Sequence, residues 1–350
     1  MSIRVRVLQA NHGDCTLVTH EGHEGVFNVL IDGGNSATFR KGTPPKHKGP
    51  LCILLNELKA NGQFIDLLVL THIDDDHIGG LLSAFKAPDY LRKMVKKIWF
   101  NSSRLITDHF NLPNIPQNAV PVIVDSPDTS VRQAKSLESI LDDIGCPRAP
   151  LIRSGDFIKC GPFTFDILSP DEASLRKLLR VWPEEKSSPD TSVVTDYHLS
   201  YKQIIDDDSF VSDISVANGS SIAFILRADK AALLFLGDAH DSVVVSALRK
   251  LKHTSEHKLG VDLVKVSHHG SQYNTSREFL SLVESERFIV STSGAIHGLP
   301  NKRTIARILE SSNGFVLFNY DKIIRKLRLP SEETLYAGRL IGLDQELVLL

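Results

Sequence analysis

The chain has 350 residues, a formal net charge of −2 at pH 7, 42% hydrophobic residues and 23% charged residues. These values are ordinary for a globular protein that can bury a large core, and the small net charge excludes a general attraction to nucleic acid or acidic membranes. Four cysteines without a Cys-x-x-Cys spacing argue against a disulfide scaffold and indicate free thiols in a reducing cytosol.

The start of the chain alternates apolar and charged residues, which predicts a strand and not a signal peptide. No stretch approaches the roughly 18 consecutive apolar residues that a membrane-spanning helix needs. We therefore expect a cytoplasmic protein that has no membrane partner.

Short apolar segments predict the strands of the first half, and leucines at helical spacing predict its helices. Strands are expected at residues 3–8, 16–19, 26–32, 64–70, 97–100, 120–124 and 163–168. Helices are expected at residues 51–61, 79–85 and 131–144. Between them, residues 36–50 form a predicted basic loop that contains Lys41, Lys46 and Lys48.

The second half begins with a polar, irregular segment at about residues 171–217, which we interpret as an insertion capping one side of a site. Further strands are then expected at residues 222–226, 232–236, 261–266 and 288–291, with more from residue 315 onward closing a second sheet. This order predicts an α/β fold of two stacked sheets, with residues 1–350 forming a single domain.

Residues 71–80 carry the strongest chemical signal. His72, Asp74, Asp76 and His77 follow the predicted strand at residues 64–70, so a strand end would direct two imidazoles and two carboxylates toward one point. Imidazole nitrogen and carboxylate oxygen are ligands for zinc-class and manganese-class ions. The alternative is a solvated acidic loop, which would leave the flanking histidines unexplained.

Three later strands also end in residues that can bind metal. Asp238 follows the strand at residues 232–236, His268 and His269 follow the strand at residues 261–266, and His297 lies in the loop after the strand at residues 288–291. This recurrence is stronger evidence for a metal site than any one residue.

These segments together resemble the metallo-β-lactamase superfamily, in which His-x-His-x-Asp-His follows a strand and opens a helix. Asp74 stands where the family usually has its second histidine. That variant most resembles the metallo-β-lactamase-like domain of the bacterial competence protein ComEC and its stand-alone bacterial relatives. Residues 265–271 also match the competence-type pattern Lys-Val-x-His-His-Gly-Ser. The resemblance spans about residues 3–325 and implies an αββα four-layer sandwich with a capping insertion.

The resemblance also implies two divalent metal ions bridged by Asp238 and a hydroxide. His72 and Asp74 would bind the first ion, and Asp76 and His77 the second. Asp74 adds hard oxygen character, which favours manganese, whereas the general order of metal affinities favours zinc. Zinc and manganese therefore both stay open.

The remaining roles are less constrained. We favour His297 and one of His268 and His269 as further metal ligands, with the other histidine binding substrate or protonating the leaving group. The alternative for His297 is a surface loop position. The candidate catalytic residues are Asp76, His268 and His269, and the candidate substrate-binding residues are Asn218, Ser271 and Lys265. Asn218 has a turn position as its alternative.

The favoured function is a phosphodiesterase or nuclease, with a phosphodiester such as nucleic acid or a nucleotide as substrate. One alternative is a hydrolase of lactones, esters or amides, which should ignore bis-p-nitrophenyl phosphate. The other alternative is a non-catalytic scaffold subunit, with a protein partner docking on residues 171–217. An intact ligand set argues against the scaffold.

Overall fold

The structure is a computed structural model that describes residues 1–42, 47–112, 130–148, 150–181, 195–332, 334–336, 338–343 and 346–349. Two large sheets pack face to face in this part of the chain, and helices cover the outer face of each sheet. The predicted αββα sandwich is therefore confirmed. The predicted strand at residues 120–124 lies outside the described residues.

The first sheet has six strands in the order β18-β1-β2-β3-β6-β7. Their bounds are β1 Ser2–Val7, β2 Thr16–Gly22, β3 Gly25–Ile31, β6 Leu67–Val69, β7 Ile98–Trp99 and β18 Leu347–Leu349. The alternation predicted for β1 holds, since Ile3, Val5 and Val7 are buried between the sheets while Arg4 and Arg6 lie on the other face.

The second sheet has eight strands in the order β17-β16-β15-β13-β11-β10-β9-β8. Their bounds are β8 Phe157–Cys160, β9 Phe163–Ser169, β10 Ala223–Ala228, β11 Ala231–Phe235, β13 Leu263–Lys265, β15 Arg287–Val290, β16 Phe315–Phe318 and β17 Leu340–Gly342. Strands β11, β13, β15, β16 and β17 run parallel, so their carboxyl ends meet at one edge. Two short pairs stand apart: β4 Arg40–Lys41 with β5 His47–Lys48, and β12 Leu259–Val261 with β14 Val283–Ser285.

The helices of the described residues form the two outer layers. They are α1 Ser36–Phe39, α2 Pro50–Ala60, α3 Asp75–Lys86, α4 Leu91–Met94, α5 Ser103–His109, α6 Ser130–Asp143, α7 Glu172–Val181, α8 Tyr201–Asp206, α9 Val216–Gly219, α10 Asp241–Lys250, α11 Arg277–Leu282, α12 Lys302–Ser311 and α13 Lys322–Lys326. Two 3₁₀ turns lie at Ser267–Gly270 and Pro330–Glu332. Each outer layer contributes leucines and isoleucines to its own buried cluster against one sheet.

The space between the sheets is filled mainly by aromatic and branched side chains. Trp99 and Phe165 meet edge to face with ring centroids 4.6 Å apart, and Phe165 contacts Phe224 in the same way. Burial of such rings contributes a large share of the apolar surface removed from water. This packing holds the strand ends of both sheets in a fixed relation, which is what a site between them requires.

Several predicted elements differ in detail from the structure. Helix α3 begins at Asp75, earlier than the predicted residue 79, because Asp75 and Asp76 place negative charge at its N-terminal turn. The predicted basic loop contains α1 and the β4–β5 pair, and the predicted irregular insertion contains α7, α8 and α9. Strands β16 and β17 of the tail close the second sheet as predicted, whereas the last strand, β18, pairs with β1 in the first sheet.

No helix among the described residues is long and apolar enough to cross a membrane.

A buried ion pair joins the insertion to the second helical layer. Lys302 is fully buried, and its Nζ donates to Glu332 Oε2 at 2.6 Å and to the Leu199 carbonyl at 2.8 Å. The Glu332 carboxylate also accepts from the backbone N–H of Tyr201. The pair therefore fixes α8 against α12 and the 3₁₀ turn at Pro330–Glu332.

Lys302→Met should destabilise the protein by about 3–5 kcal/mol, because it leaves the Glu332 carboxylate buried without its cation. Chemical unfolding followed by circular dichroism measures this loss, with the exposed Lys230→Met as the control. A Lys302→Met protein within about 1 kcal/mol of the wild type would show that the pair contributes little to folding.

Candidate metal centre

The candidate site lies where the carboxyl ends of β6, β11 and β13 meet. His72 follows β6, Asp238 follows β11, and His268 and His269 follow β13. Ligands in α/β folds commonly bind outside the carboxyl ends of parallel strands, because neighbouring chains diverge there and leave a crevice. Strand order thus brings together residues that are far apart in sequence.

The loop at residues 71–77 packs against the turn after β1 at very short range. The Asp14 backbone N–H donates to the Asp76 carbonyl at 3.2 Å, and the Gly33 N–H donates to the His77 carbonyl at 2.9 Å. A Cβ placed on Gly13 would lie 1.9 Å from the Asp76 carbonyl oxygen. Only glycine permits this approach at residue 13, so the backbone carrying Asp76 and His77 is fixed by contact with the first sheet.

Two overlapping groups of side chains have the spacing of a metal centre. Ligand atoms of His72, His77 and Asp238 lie within 4.8 Å of one another, and so do those of Asp76, His77 and His269. Asp238 lies between them, with Oδ1 3.5 Å from His77 Nε2 and Oδ2 3.7 Å from His269 Nε2. A carboxylate in this position can bridge two cations.

The potential metal-ligand atoms that face the centre have no hydrogen-bond partner among the described residues. These atoms are buried and comprise His72 Nε2, His77 Nε2, His269 Nε2 and Asp238 Oδ1. Buried polar atoms in proteins are nearly always satisfied, so four unsatisfied atoms around one point need a partner. A divalent cation is the partner that suits neutral imidazole nitrogen and carboxylate oxygen together.

The opposite nitrogen of each ring is anchored, which orients Nε2. His77 Nδ1 lies 2.8 Å from Asp32 Oδ2, and His269 Nδ1 lies 3.0 Å from the Ser291 carbonyl. His72 Nδ1 lies 3.1 Å from Thr71 Oγ1, which itself donates to Asp32 at 2.8 Å. Each acceptor requires the proton on Nδ1, so the Nε2 lone pair of the neutral ring points at the centre, as in known metal sites.

The pKa values of the buried groups are shifted by the opposite charges of their neighbours. Burial by itself would lower the pKa of His269, but Asp14, Asp238 and Asp76 raise it to about 10. Burial would likewise raise the pKa of Asp238, but His77 and His269 hold it well below its usual value. A cation entering the centre must displace protons from these imidazoles, so its affinity should increase with pH.

Asp74 and Asp75 differ in their surroundings. Asp74 Oδ2 lies 3.6 Å from His72 Nε2, and its side chain is partly exposed. Asp75 is exposed and accepts a hydrogen bond from Gln133 Nε2 at 2.6 Å, away from the ligand cluster. Asp74 can therefore reach a cation beside His72, whereas Asp75 belongs to the packing of α3 against α6.

His268 and His269 both have left-handed backbone angles, with φ of 46° and 54°. Two consecutive non-glycine residues in this region are strained, and the tight turn directs their rings apart. The His269 ring is 3% exposed and points into the ligand cluster, whereas the His268 ring is 27% exposed and faces the open side. His268 Nε2 still lies 3.8 Å from Asp238 Oδ2.

A polar network holds the His268 ring. Its Nδ1 lies 3.0 Å from Asn274 Oδ1, 3.3 Å from Asn218 Nδ2 and 3.4 Å from Asp213 Oδ2. Asp213 also accepts from Asn218 Nδ2 at 2.7 Å and from Asn274 Nδ2 at 3.0 Å. Burial would raise the pKa of Asp213, but His268 and the two amides lower it. Asn218 therefore lies at the site as a partner of His268.

Lys265 and Ser271 do not face the open site. Lys265 is 3% exposed, and its Nζ donates to Asp14 Oδ2 at 2.5 Å, while Asp14 Oδ1 lies 3.3 Å from His269 Nδ1. Ser271 is buried, and its Oγ accepts from the Tyr273 N–H. The geometry does not support the prediction that Lys265 contacts substrate, because its ammonium group compensates a buried carboxylate behind His269.

His297 is exposed, and no ligand-cluster contact of His297 exists within the described part of the chain. Burial lowers the pKa of His12, and nearby charges also act on it: Asp76 raises it, whereas His269 and His297 lower it. The structure places His297 at an exposed loop position, as in the surface-loop alternative, and brings His269 of the tandem pair into the ligand cluster. Chain spacing alone suggested His297, since its loop does follow β15 at the correct edge.

Sequence reasoning missed Asp213, Asn274 and His12. Asp213 lies in a polar segment whose pattern carries no structural period, so no local signal marked it. Asn274 follows the His-His-Gly-Ser motif closely, and that proximity was an available signal. His12 precedes Gly13 in the turn after β1, which packs on Asp76, and only the long-range contact shows its relation to the site.

Comparison with known proteins gives a partial sequence match and distant structural similarities. Residues 9–138 match the family model described as the metallo-beta-lactamase superfamily. No curated protein matches the sequence significantly.

Three solved structures are similar to the chain at low sequence identity. CmlA, a diiron beta-hydroxylase from Streptomyces venezuelae, is 14% identical, with a TM-score of 0.41 over 99% of this chain and 54% of that chain. The chain thus spans about half the length of CmlA. The metallo-beta-lactamase fold protein YhfI from Bacillus subtilis is 12% identical, with a TM-score of 0.42 over 99% of both chains. Unliganded yeast PDE1 is 15% identical, with a TM-score of 0.41 over 100% of this chain and 99% of that chain.

The family match covers the segment that contains His72, Asp76 and His77, and the structure places these residues with Asp238 and His269 at the ends of the strands. Residues 9–138 are therefore similar in sequence to the metallo-β-lactamase superfamily.

Proposed function

We propose that the protein is a dinuclear metal-dependent hydrolase that cleaves a phosphodiester. The observation that carries this proposal is the set of four unsatisfied donor atoms around Asp238. An arrangement that merely stabilised the fold would pair these atoms with each other or with the backbone. Their common orientation instead suits the binding of cations from the open side.

The donor set divides into two halves. His72 and Asp74 would hold one cation, and Asp76, His77 and His269 the other, with Asp238 between them. Bound zinc or manganese supplies a nucleophile at neutral pH and neutralises charge that develops on the phosphoryl oxygens. The mixture of imidazole and carboxylate ligands suits either metal, and Asp74 in place of a histidine favours manganese.

The residues around the opening suit an anionic tetrahedral group. His268 presents its Nε2 side to the opening while Asn218 and Asn274 hold its Nδ1 side, and His12 lies close to Asp76. Such donors bind nonbridging phosphoryl oxygens and hold the phosphorus in line with the attacking and leaving oxygens. A neutral lactone or ester offers fewer acceptors to this arrangement. The motifs at residues 71–77 and 265–271 support placement nearest the ComEC-type branch.

His268 is the residue we assign to the leaving group. Its Nδ1 side is held by Asn274 and Asp213, and its Nε2 faces the Asp238 side of the opening. Burial lowers the pKa of His268, but Asp238 and Asp213 raise it above its usual value, which favours the protonated ring. Nε2–H can therefore donate to the departing oxygen.

Metal content tests the centre directly. Purified wild-type protein supplied with manganese or zinc should hold about two equivalents by mass spectrometry, and both Asp76→Ala and Asp238→Ala should lose most of them. Asp75→Ala is the matched control, because Asp75 neighbours Asp76 but lies outside the cluster. A wild-type protein that stays empty would rule out the hydrolase and favour the scaffold.

Hydrolysis of bis-p-nitrophenyl phosphate tests the substrate class. With manganese, the wild type should release p-nitrophenol at least about a hundredfold faster than Asp238→Ala, because loss of a metal-site residue removes the nucleophile. A wild type that binds two metals, ignores this substrate and opens lactones would favour the alternative hydrolase.

Replacement of His268 tests its role as proton donor. His268→Ala should cut kcat about a hundredfold on a dinucleotide, whose alkoxide must be protonated, and much less on bis-p-nitrophenyl phosphate, whose phenolate leaves unaided. His257→Ala, at an exposed position, serves as the control. Equal losses on both substrates, or loss of bound metal, would show that His268 is a ligand or a structural residue.

A further inference from the structure

A groove runs along α10 beside the candidate metal centre. It consists of a cavity of about 650 Å³ and a second cavity of about 260 Å³, which share Ser212 and Ser242 in their walls. The shared residues make the two cavities neighbours along α10, and we call the pair the α10 groove. Its length is set by α10, which has ten residues and is therefore about 15 Å long.

The near end of the α10 groove adjoins the open side of the site. Asp213 lines the smaller cavity, and its Oδ2 lies 3.4 Å from His268 Nδ1. Gly219, the neighbour of Asn218, lines the same cavity. A chain that extends from a phosphodiester at the metal centre past His268 would enter the groove directly.

The rim of the α10 groove carries uncompensated positive charge. Lys250 and Lys252 line the far end, Lys177 lines the near end, and all three are exposed and form no ion pair within the described residues. Arg249 also lines the far end, but its guanidinium pairs with Glu278 at 2.7 Å. Because the whole chain has a net charge of −2, three free lysines along one groove are a local feature.

The two acidic groups that line the far end are engaged with other partners. Asp241 is 5% exposed, accepts from the Ser276 backbone N–H at 2.8 Å, and has its pKa raised by burial to about 6. Glu278 is already engaged with Arg249. Lys250 and Lys252 therefore remain available to an anionic ligand.

The walls between the lysines suit a polynucleotide. Ser212, Ser242 and Ser246 place hydroxyl groups along the groove, where they can donate to phosphate oxygens. Phe210 is 38% exposed in the same wall and can stack on a base, and the Arg307 guanidinium lies 5.2 Å from its ring centroid on a buried side chain. A single aromatic platform with flanking cations is typical of single-strand binding.

We propose that the α10 groove binds the segment of a single-stranded nucleic acid that flanks the phosphodiester cleaved at the metal centre. This inference rests on the proposed function and narrows its substrate from phosphodiesters in general to single-stranded polynucleotides. Lysines contact the backbone, the serine hydroxyls contact phosphates between them, and Phe210 contacts a base. Small phosphodiesters fill only the metal centre and do not reach the groove.

The test compares a groove variant, Lys177→Ala/Lys250→Ala/Lys252→Ala, with a control variant, Lys59→Ala/Lys159→Ala/Lys230→Ala. The control lysines are exposed and lie toward the other ends of the strands, so both variants lose the same charge. Substrates are bis-p-nitrophenyl phosphate and a fluorescein-labelled single-stranded oligonucleotide of about 20 nucleotides, which exceeds common single-strand site sizes. Binding of the oligonucleotide is measured separately by fluorescence anisotropy.

In the groove variant, kcat/KM for the oligonucleotide relative to that for the small substrate should fall about tenfold. When the logarithm of this ratio is plotted against the logarithm of the salt concentration, the slope should become shallower by about 2, because three phosphate contacts are lost. The control variant should match the wild type in both measures. Equal effects in the two variants would contradict the proposal that the α10 groove binds nucleic acid. A wild type that cleaves the small substrate but neither binds nor cleaves the oligonucleotide would contradict it as well.

The two proposals fail separately. If the wild type cleaves no phosphodiester, the proposed function is wrong, and anisotropy alone decides the α10 groove. Oligonucleotide binding that is lost in the groove variant and kept in the control would then support the groove without catalysis. Binding that is equal in all three proteins, or absent from all three, would refute it.

Discussion

The concentration of buried negative charge at one edge of the sandwich is the constraint on which the site depends. Asp14, Asp32 and Asp238 are nearly inaccessible to water, and Asp76 lies beside them. Burial of an isolated carboxylate is prohibitive, so each needs a partner. Lys265 compensates Asp14, and the His77 ring N–H with the N–H and hydroxyl of Thr71 satisfies Asp32, but Asp76 and Asp238 face the Nε2 atoms of histidines. A divalent cation held between Asp76 and Asp238 would satisfy these atoms.

Residues with strained backbone angles lie at the same edge of the sandwich as these buried carboxylates. Asp32, His268 and His269 all have positive φ, which costs free energy in residues with a Cβ. Each is held by contacts with neighbouring strands. Asp32 receives two hydrogen bonds from Thr71, and the His268 N–H donates to the Gly237 carbonyl at 2.9 Å. The strain is thus maintained by the packed strand ends, which explains why a precise site can rest on loops.

The sequence predicted the fold class because strand periodicity and apolar runs are local signals, and both sheets follow from them. Within the site, residues 71–77 were readable as a local motif, and Asp238 and His269 as strand ends that share an edge. Lys265 was misjudged because its partner, Asp14, is 251 positions away, and no pattern joins them. Asp213 was missed for the same reason, since only tertiary packing brings the polar insertion to His268.

The described residues 195–217 of the insertion are anchored beside the site by a network of ion pairs and hydrogen bonds. Asp208 accepts from Arg277 at 2.9 Å and from the buried Arg307 at 2.9 Å, and Arg307 also donates to the Gln272 and Thr275 carbonyls. One arginine thereby joins the insertion to the loop that follows His269. Phe210 and Asp213 flank this anchor on the insertion side, so their positions relative to His268 are set by buried bonds. The sandwich thus provides the ligand cluster, whereas the described part of the inserted segment shapes the groove beside it.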